Sequence, residues 1–401
     1  MKTITFVRNE PNPRIINQIL SLKDTKKFKV KLLCRKYDKL TLSLYHEILD
    51  EIRCFKPPVL DLNNYGFGQN VKHSPKMHHL KNIFTGPMEK ATEKITERKQ
   101  DNILKNHKSQ IFNSIDTYDL TRDVIKKTKK PVIIDLQDGT IVAGVKNLDE
   151  QRRKLDKYCF ENAAGIIHRG PEFEINYYKK NGYKINCPII SYQDYCNKKF
   201  FIQKNPEKLS DQDGETHIVS MGSGMNHYSI PKLIKRITKQ KIHFHLYLVP
   251  YSSLNVNIYD QCYQLNKTNR YFHLEKTVPF SRIHEELSKY DYGAMILTSE
   301  YTIQYQKEYK KTCLSYRLFN WFEAGLPVIM TNWYEYMSDI INKNKVGFSI
   351  SENEIDELKN IIEKQELKSL INNVYTFREK YEITKNNKKL INFYDEIISN
   401  N

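Results

Sequence analysis

The stretch Ser315-Tyr316-Arg317-Leu318-Phe319-Asn320-Trp321-Phe322-Glu323-Ala324-Gly325-Leu326-Pro327-Val328-Ile329 leaves this chain few choices of fold. Leu318, Phe319, Phe322 and Ala324 fall on one helix face, Ser315 can cap the start, and Gly325 supplies the left-handed residue that ends the helix. Pro327 then opens a β-branched strand. A helix that turns so directly into a buried strand belongs to an open α/β domain, where helix starts face the crevice beyond the strands' carboxyl ends. Tyr316 and Arg317 sit at that start, where unpaired backbone amides favour anions.

The rest of the chain repeats the alternation. Thr3 to Val7 reads as a strand, Ile15 to Leu22 as a helix after Pro13, and Phe28 to Leu33 as a second strand. Helical patterns are predicted over Leu40 to Arg53 and from Pro87 to Lys105, the second as an insertion. Pro131 to Leu136 is a strand, Asp149 to Asn162 a helix, and Ala164 to His168 a strand. A polar stretch from Asn197 to Glu215 reads as a linker. The rhythm then restarts with strands at Thr216 to Met221, Ile242 to Leu248, Phe272 to Leu274 and Tyr292 to Leu297, separated by helices at Pro231 to Thr238 and Ser281 to Lys289. The expectation is an α/β chain with two Rossmann-like domains facing across a cleft: 1–205, 206–385, and a helix over 386–401 packing back on the first domain.

Composition limits the partners. The formal charge is +17, which suits nucleic acid, an anionic membrane or phosphorylated ligands. Lysines alternate with acids almost everywhere, as in Glu89 to Lys99, which is the pattern of a solvated helix face and argues against nucleic acid. The basic stretch Lys72 to Lys108 is the candidate for an anionic membrane surface. Seven cysteines lack C-x-x-C spacing, so reduced thiols and a cytoplasmic chain, peripheral on the inner face of the membrane, are expected. No apolar run reaches the roughly 20 residues of a membrane helix.

Arg317 to Ile329 resembles the K-L-F-E-Y-x-A-x-G-x-P-V-I segment of nucleotide-sugar glycosyltransferases with the GT-B fold, in particular the glycosyl transferases group 1 class. Ile134-Asp135-Leu136-Gln137-Asp138 is similar to that family's D-x-H-D strand end, and Ser288 to Gly293 to the run before the strand preceding the motif. The resemblance covers most of the chain. It implies a donor site in the C-terminal domain, an acceptor site in the N-terminal domain, and reaction between them. Asn320 stands where the family usually has Glu to hold the donor ribose, Thr312 replaces the earlier Glu of E-x7-E, and Gln137 replaces His, so retaining or inverting chemistry stays open.

Several residues follow as site candidates. Gly222, Ser223 and Gly224, after a strand, can let backbone amides approach a diphosphate; the alternative is an ordinary turn. Arg317 can hold the phosphates and stabilise the departing diphosphate, or simply lie over Trp321. Tyr316 can stack on a base, and Asn320 can bind ribose hydroxyls. Asp138 is the candidate catalytic base, although Asp138-Gly139 is also a turn dipeptide. Arg8, Asn9, Asp135, Gln137, His168 and Arg169 end strands and are candidates to line the cleft. His243 and His245 share a strand face; sequence offers no third metal ligand, and histidines satisfied by neighbours are the reading adopted, with no metal site. The function expected is transfer of a sugar from a nucleotide-diphosphate sugar, as co-substrate and without other cofactor or metal, to a hydroxyl of a glycan or lipid-linked acceptor in polysaccharide or glycoconjugate synthesis. A nucleotide-sugar epimerase or hydrolase of the same fold, or a non-catalytic polyanion-binding or membrane-binding protein, are the alternatives.

Overall fold

The computed structural model describes residues 1–9, 14–35, 48–55, 98–137, 139–143, 150–203, 206–222, 227–248, 256–302, 305 and 307–400. Their strands form two wholly parallel sheets. The first holds β1 (Lys2–Arg8), β2 (Phe28–Cys34), β3 (Glu51–Cys54), β4 (Ile111–Ile115), β5 (Val132–Leu136), β6 (Gly165–His168) and β7 (Ile189–Ser191) in the order β3-β2-β1-β4-β5-β6-β7. The second holds β8 (His217–Met221), β9 (His243–Tyr247), β10 (Phe272–Glu275), β11 (Tyr292–Met295), β12 (Val328–Thr331) and β13 (Gly347–Ile350) in the order β10-β9-β8-β11-β12-β13. Each order reverses direction beside its first strand, as in doubly wound folds. Inner strands such as β5 and β6 are buried on both faces, which is why Ile133-Ile134 and Ile166-Ile167 appear as unbroken apolar runs.

Three elements depart from expectation. The segment ending at Arg53 was predicted helical, yet Glu51 to Cys54 is the edge strand β3, paired through Leu32 opposite Ile52; residues 40–47 lie outside the described residues. Strand β4 and the following helix, Asp119–Thr128, have no counterpart in the sequence reading. Asn113 and Ser114 hide β4, because polar residues argue against a central strand, but both find buried partners. Asn113 donates from Nδ2 to the Tyr394 hydroxyl at 2.7 Å, and Ser114 shares a hydrogen bond with Thr121 at 2.8 Å. Of the helix predicted over Pro87 to Lys105, the described part, 98–106, is helical.

The chain passes between the two units twice, side by side. Cys196 bridges to Glu382: its amide donates to the Tyr381 carbonyl at 3.0 Å and its carbonyl accepts from Ile383 at 2.8 Å. The second passage delivers the final helix, Lys388–Ser399, whose Leu390, Ile391, Phe393, Tyr394 and Ile397 join Ile4, Phe28, Val30 and Ile167 in one core. Each buried side chain of this kind contributes about 1.5–3 kcal/mol over exposure. Gly165 makes room for it, since a Cβ there would lie 2.7 Å from the Phe393 ring.

Candidate active site

Strand β8 is the switch point of the second sheet, with β9 on one side and β11 on the other. Immediately past its carboxyl end, Gly222 turns the chain at φ +100°, a conformation glycine accepts readily. The Tyr316–Glu323 helix starts beside it, and a Cβ on Gly222 would meet Arg317 Cδ at 3.3 Å. The Arg317 guanidinium is held in place from two sides: Nη1 donates to the Met221 carbonyl at 2.7 Å, and Nε donates to Ser315 Oγ at 3.2 Å. Among the described residues Nη2 has no acceptor, so a fixed cation presents donors at the strand end.

Ser315 was expected to cap this helix. Its side chain makes no cap bond and accepts from Arg317 instead, which converts a helix-stabilising group into one that orients the arginine. The other end follows expectation. Gly325 is left-handed at φ +81°, Leu326 N–H donates to the Trp321 carbonyl at 2.8 Å, and Gly325 N–H to that of Phe322 at 3.0 Å, the paired bonds of a Schellman motif. Trp321 locks the helix onto the sheet: a Cβ on Gly293 of β11 would sit 2.4 Å from its ring.

Asn320 lies almost one turn beyond Arg317 and is 6% exposed. Its Oδ1 has no hydrogen-bond partner among the described residues. Buried amide oxygens are rarely left unsatisfied, so this one invites a donor such as a hydroxyl. Tyr316 is half-buried at the helix start. Ser223 and Gly224 lie outside the described residues. Lys232, the next basic residue after the glycines, is paired with Glu300 at 3.1 Å on the surface.

In the first unit the strand-end residues come together, but under cover. Arg8, Asp135 and Arg169 were expected on the cleft wall; all are at most 3% exposed and are tied into one network. Asp135 accepts from Arg8 Nη2 at 3.1 Å and from Arg169 Nη2 at 2.9 Å, while Arg8 also donates to the Asn113 side chain at 2.7 Å. Arg169 continues to Asp194, and Asp194 to Arg14 Nε at 3.0 Å. Arg14 then donates to the Leu314 carbonyl at 2.7 Å, next to Ser315. A relay of charges therefore runs from β5 to the edge of the arginine site. The link from Arg14 to Leu314 is where this network reaches the second unit; a buried, doubly paired Asp135 is poorly placed to take a substrate proton.

Asp138 lies outside the described residues. Gln137 donates its amide to Asp116 Oδ1 at 2.7 Å, and Asn9 accepts from the Arg35 amide at 3.1 Å through its carbonyl. His168 is 3% exposed, with Nδ1 3.8 Å from Glu174 Oε2. Glu174 escaped the sequence reading. It sits within one helical turn of Glu172, where an acid reads as ordinary helix-start charge. In the fold it is 5% exposed beneath both strand-end turns, its carboxylate 2.7 Å from a Cβ on Gly139 and 2.8 Å from one on Gly170. Gly170 in turn faces the backbone of Thr312, so this acid lies where the units meet. Among the described residues no cluster of metal-ligating side chains adjoins Arg317; the cluster that exists, Asp213 with His217 and His243, is at the opposite end of β8.

Residues 239–392 match the family model described as "Glucosyltransferase 3-like, C-terminal domain". No curated protein matches the chain in sequence. Among solved structures, Anabaena HepE in complex with UDP and glucose is similar over 99% of this chain and 100% of its own, at 13% identity and TM-score 0.66. The sucrose-phosphate synthase of Thermosynechococcus elongatus aligns over 100% of both chains at 11% identity and TM-score 0.64. S. aureus MnaA with UDP aligns over 100% of this chain and 98% of its own, at 8% identity and TM-score 0.57. At such identities the likeness is one of fold, and the fold is GT-B, as the resemblance implied.

Proposed function

We propose that this GT-B chain is a glycosyltransferase that moves a sugar from a nucleotide-diphosphate sugar to a hydroxyl of a glycan or lipid-linked acceptor. The observation that carries the reading is Arg317, fixed beside Gly222 at the carboxyl end of β8. A cation held there before any ligand arrives costs no reorganisation when negative charge develops on a departing diphosphate. The orphan amides of the Tyr316–Glu323 helix add to it. In this reading the arginine and the helix start do the work a divalent ion does elsewhere, and the reaction itself needs no metal. Asn320, with its unsatisfied Oδ1, accepts a hydrogen bond from a donor hydroxyl. The family match over 239–392 and the UDP complexes of structurally similar proteins support the same assignment.

The acceptor side belongs to the first unit, with the domains divided at 205 and 385 and the last helix returning to the first. Asp138 serves as general base in the scheme, and Glu174, lying against Gly139 and beside His168, is the second acid within that region. Polysaccharide or glycoconjugate synthesis on the inner face of a membrane, approached through Lys72 to Lys108, completes the proposal. No described helix is long and apolar enough to cross a membrane.

A thermal-shift screen of UDP-, GDP-, ADP- and CMP-linked sugars tests the reading, because a true donor binds the folded chain and raises Tm with the logarithm of its concentration above Kd. One sugar nucleotide should stabilise the protein, and its sugar should pass to an added acceptor. Stabilisation by none of them refutes the proposal. Rapid epimerisation or sugar release from the donor alone would replace transfer with one of those activities.

A further inference from the structure

The amino ends of β8, β9 and β10 carry four histidines on one sheet face. His217 opens β8 and lies opposite His243, which opens β9; His245, two residues on, lies opposite His273 of β10. The His217 and His243 rings stack at 4.3 Å and 6°, and those of His245 and His273 at 4.3 Å and 15°. The sequence alternation that puts His243 and His245 on one face is real, but the remaining ligands come from the neighbouring strand and from the turn before it. That turn supplies Asp213, at the end of the short Ser210–Asp213 helix, and Glu215.

We propose that His217 and His243, with Asp213 and Glu215, form a binding site for a divalent cation of the zinc class. One ring nitrogen from each histidine and a carboxylate oxygen of Asp213 lie within 4.8 Å of one another, and Glu215 stands beside this trio. Asp213 Oδ2 is 3.0 Å from His217 Nε2 and 3.8 Å from His243 Nε2, and Glu215 Oε2 is 2.5 Å from His243 Nε2. Ligands at the usual zinc distances of about 2.0–2.1 Å in a tetrahedron stand about 3.3 Å apart, so the observed separations bracket that value. Two imidazoles with two carboxylates suit zinc, cobalt or nickel over magnesium or calcium.

What lies behind the ligands supports a metal. His217 Nδ1 is 2.9 Å from His245 Nε2, whose Nδ1 is 2.8 Å from Glu275 Oε1. His243 Nδ1 is 2.8 Å from His273 Nε2. When each Nδ1 donates inward along these contacts, each Nε2 lone pair points outward to the shared point, which is how supporting hydrogen bonds fix the tautomer of a metal-bound histidine. Access is assured because the Asp213 and Glu215 side chains are 42% and 31% exposed, while both ligand histidines are largely buried. The site lies about 13 Å of strand away from the Arg317 end of β8, so it is separate from the donor site. A bound ion would pin the segment by which the chain enters the second unit to two neighbouring strands of its sheet, β8 and β9.

The test uses the full chain stripped by chelator and titrated with Co²⁺. A single saturable equivalent with visible ligand-field bands, displaced by Zn²⁺ and accompanied by a rise in Tm, is the expected result. Asp213→Asn and Glu215→Gln are surface changes that leave the core intact, and each should weaken Co²⁺ binding at least tenfold; His243→Gln should abolish it. UDP affinity, read separately, should be unchanged in Asp213→Asn. Absence of a one-to-one Co²⁺ complex in the wild type, or undiminished binding in Asp213→Asn and His243→Gln together, overturns the site.

Discussion

Replacing Arg317 with alanine isolates what the arginine site contributes. In the wild type the side chain makes two internal hydrogen bonds, to the Met221 carbonyl and Ser315 Oγ, and retains further donors on Nη1 and Nη2 for a ligand. Losing the internal bonds should lower stability by about 1–2 kcal/mol, since each is worth about 1 kcal/mol net and both acceptors are partly solvated. Losing a charge-assisted contact to phosphate costs about 1.5–3 kcal/mol, which corresponds to UDP binding roughly 10- to 150-fold weaker. Arg317→Lys should fall between, because a single ammonium cannot reach the carbonyl, the hydroxyl and a phosphate at once. Calorimetric titration of UDP into the three proteins, with thermal melts to show that each is folded, gives both quantities. If Arg317→Ala is folded and binds UDP within threefold of wild type, the arginine does not hold the diphosphate and the functional reading loses its main support.

Three further outcomes follow from the packing. Gly293→Ala should destabilise the second unit by at least 1–3 kcal/mol in urea denaturation, because its Cβ would enter the Trp321 ring with no flexible neighbour to yield; an unchanged midpoint would mean that β11 and the motif helix are less tightly joined than described. Asp135→Asn leaves Arg8 and Arg169 buried without their shared anion and should cost about 3–5 kcal/mol, measured the same way; a loss below about 1 kcal/mol would show that the network is not what holds the strand ends together. His107, near Thr5 Oγ1 at 3.0 Å, has its pKa lowered to about 4, first by burial and then by Lys31. The unfolded chain therefore binds a proton that the folded chain refuses, and the contribution present above pH 6.5 is lost as pH falls toward 4. Relative to His107→Gln, the wild type should lose stability between pH 7.5 and pH 5; a constant difference would contradict the shift.

Local signals carried much of this structure. The run from Ser315 to Ile329 places a helix, its left-handed glycine and a strand within a residue or two, because capping and periodicity act over a single turn. What sequence hides is decided at a distance. Asn113 looks wrong for a central strand until Arg8 and Tyr394 are beside it, and Asp135 looks available until Arg8 of β1 and Arg169, just past β6, close over it. His243 has metal-binding company only because parallel register sets His217 opposite it. Glu174 becomes notable only when two glycine turns fold across its carboxylate.

The returning C-terminal helix also bears on how the chain is made. The first sheet's strands end at Ser191, yet Leu390, Phe393 and Tyr394, which cover β1 and β2, are synthesised about 200 residues later, roughly 10–40 s at ordinary rates of translation. By the end of that interval the second unit has its core residues, through Phe377, while the first still shows Ile4, Phe28 and Val30 to solvent or to a chaperone. The half of the molecule that is born first is thus finished last, and a chain cut short before Leu390 loses packing from its oldest part.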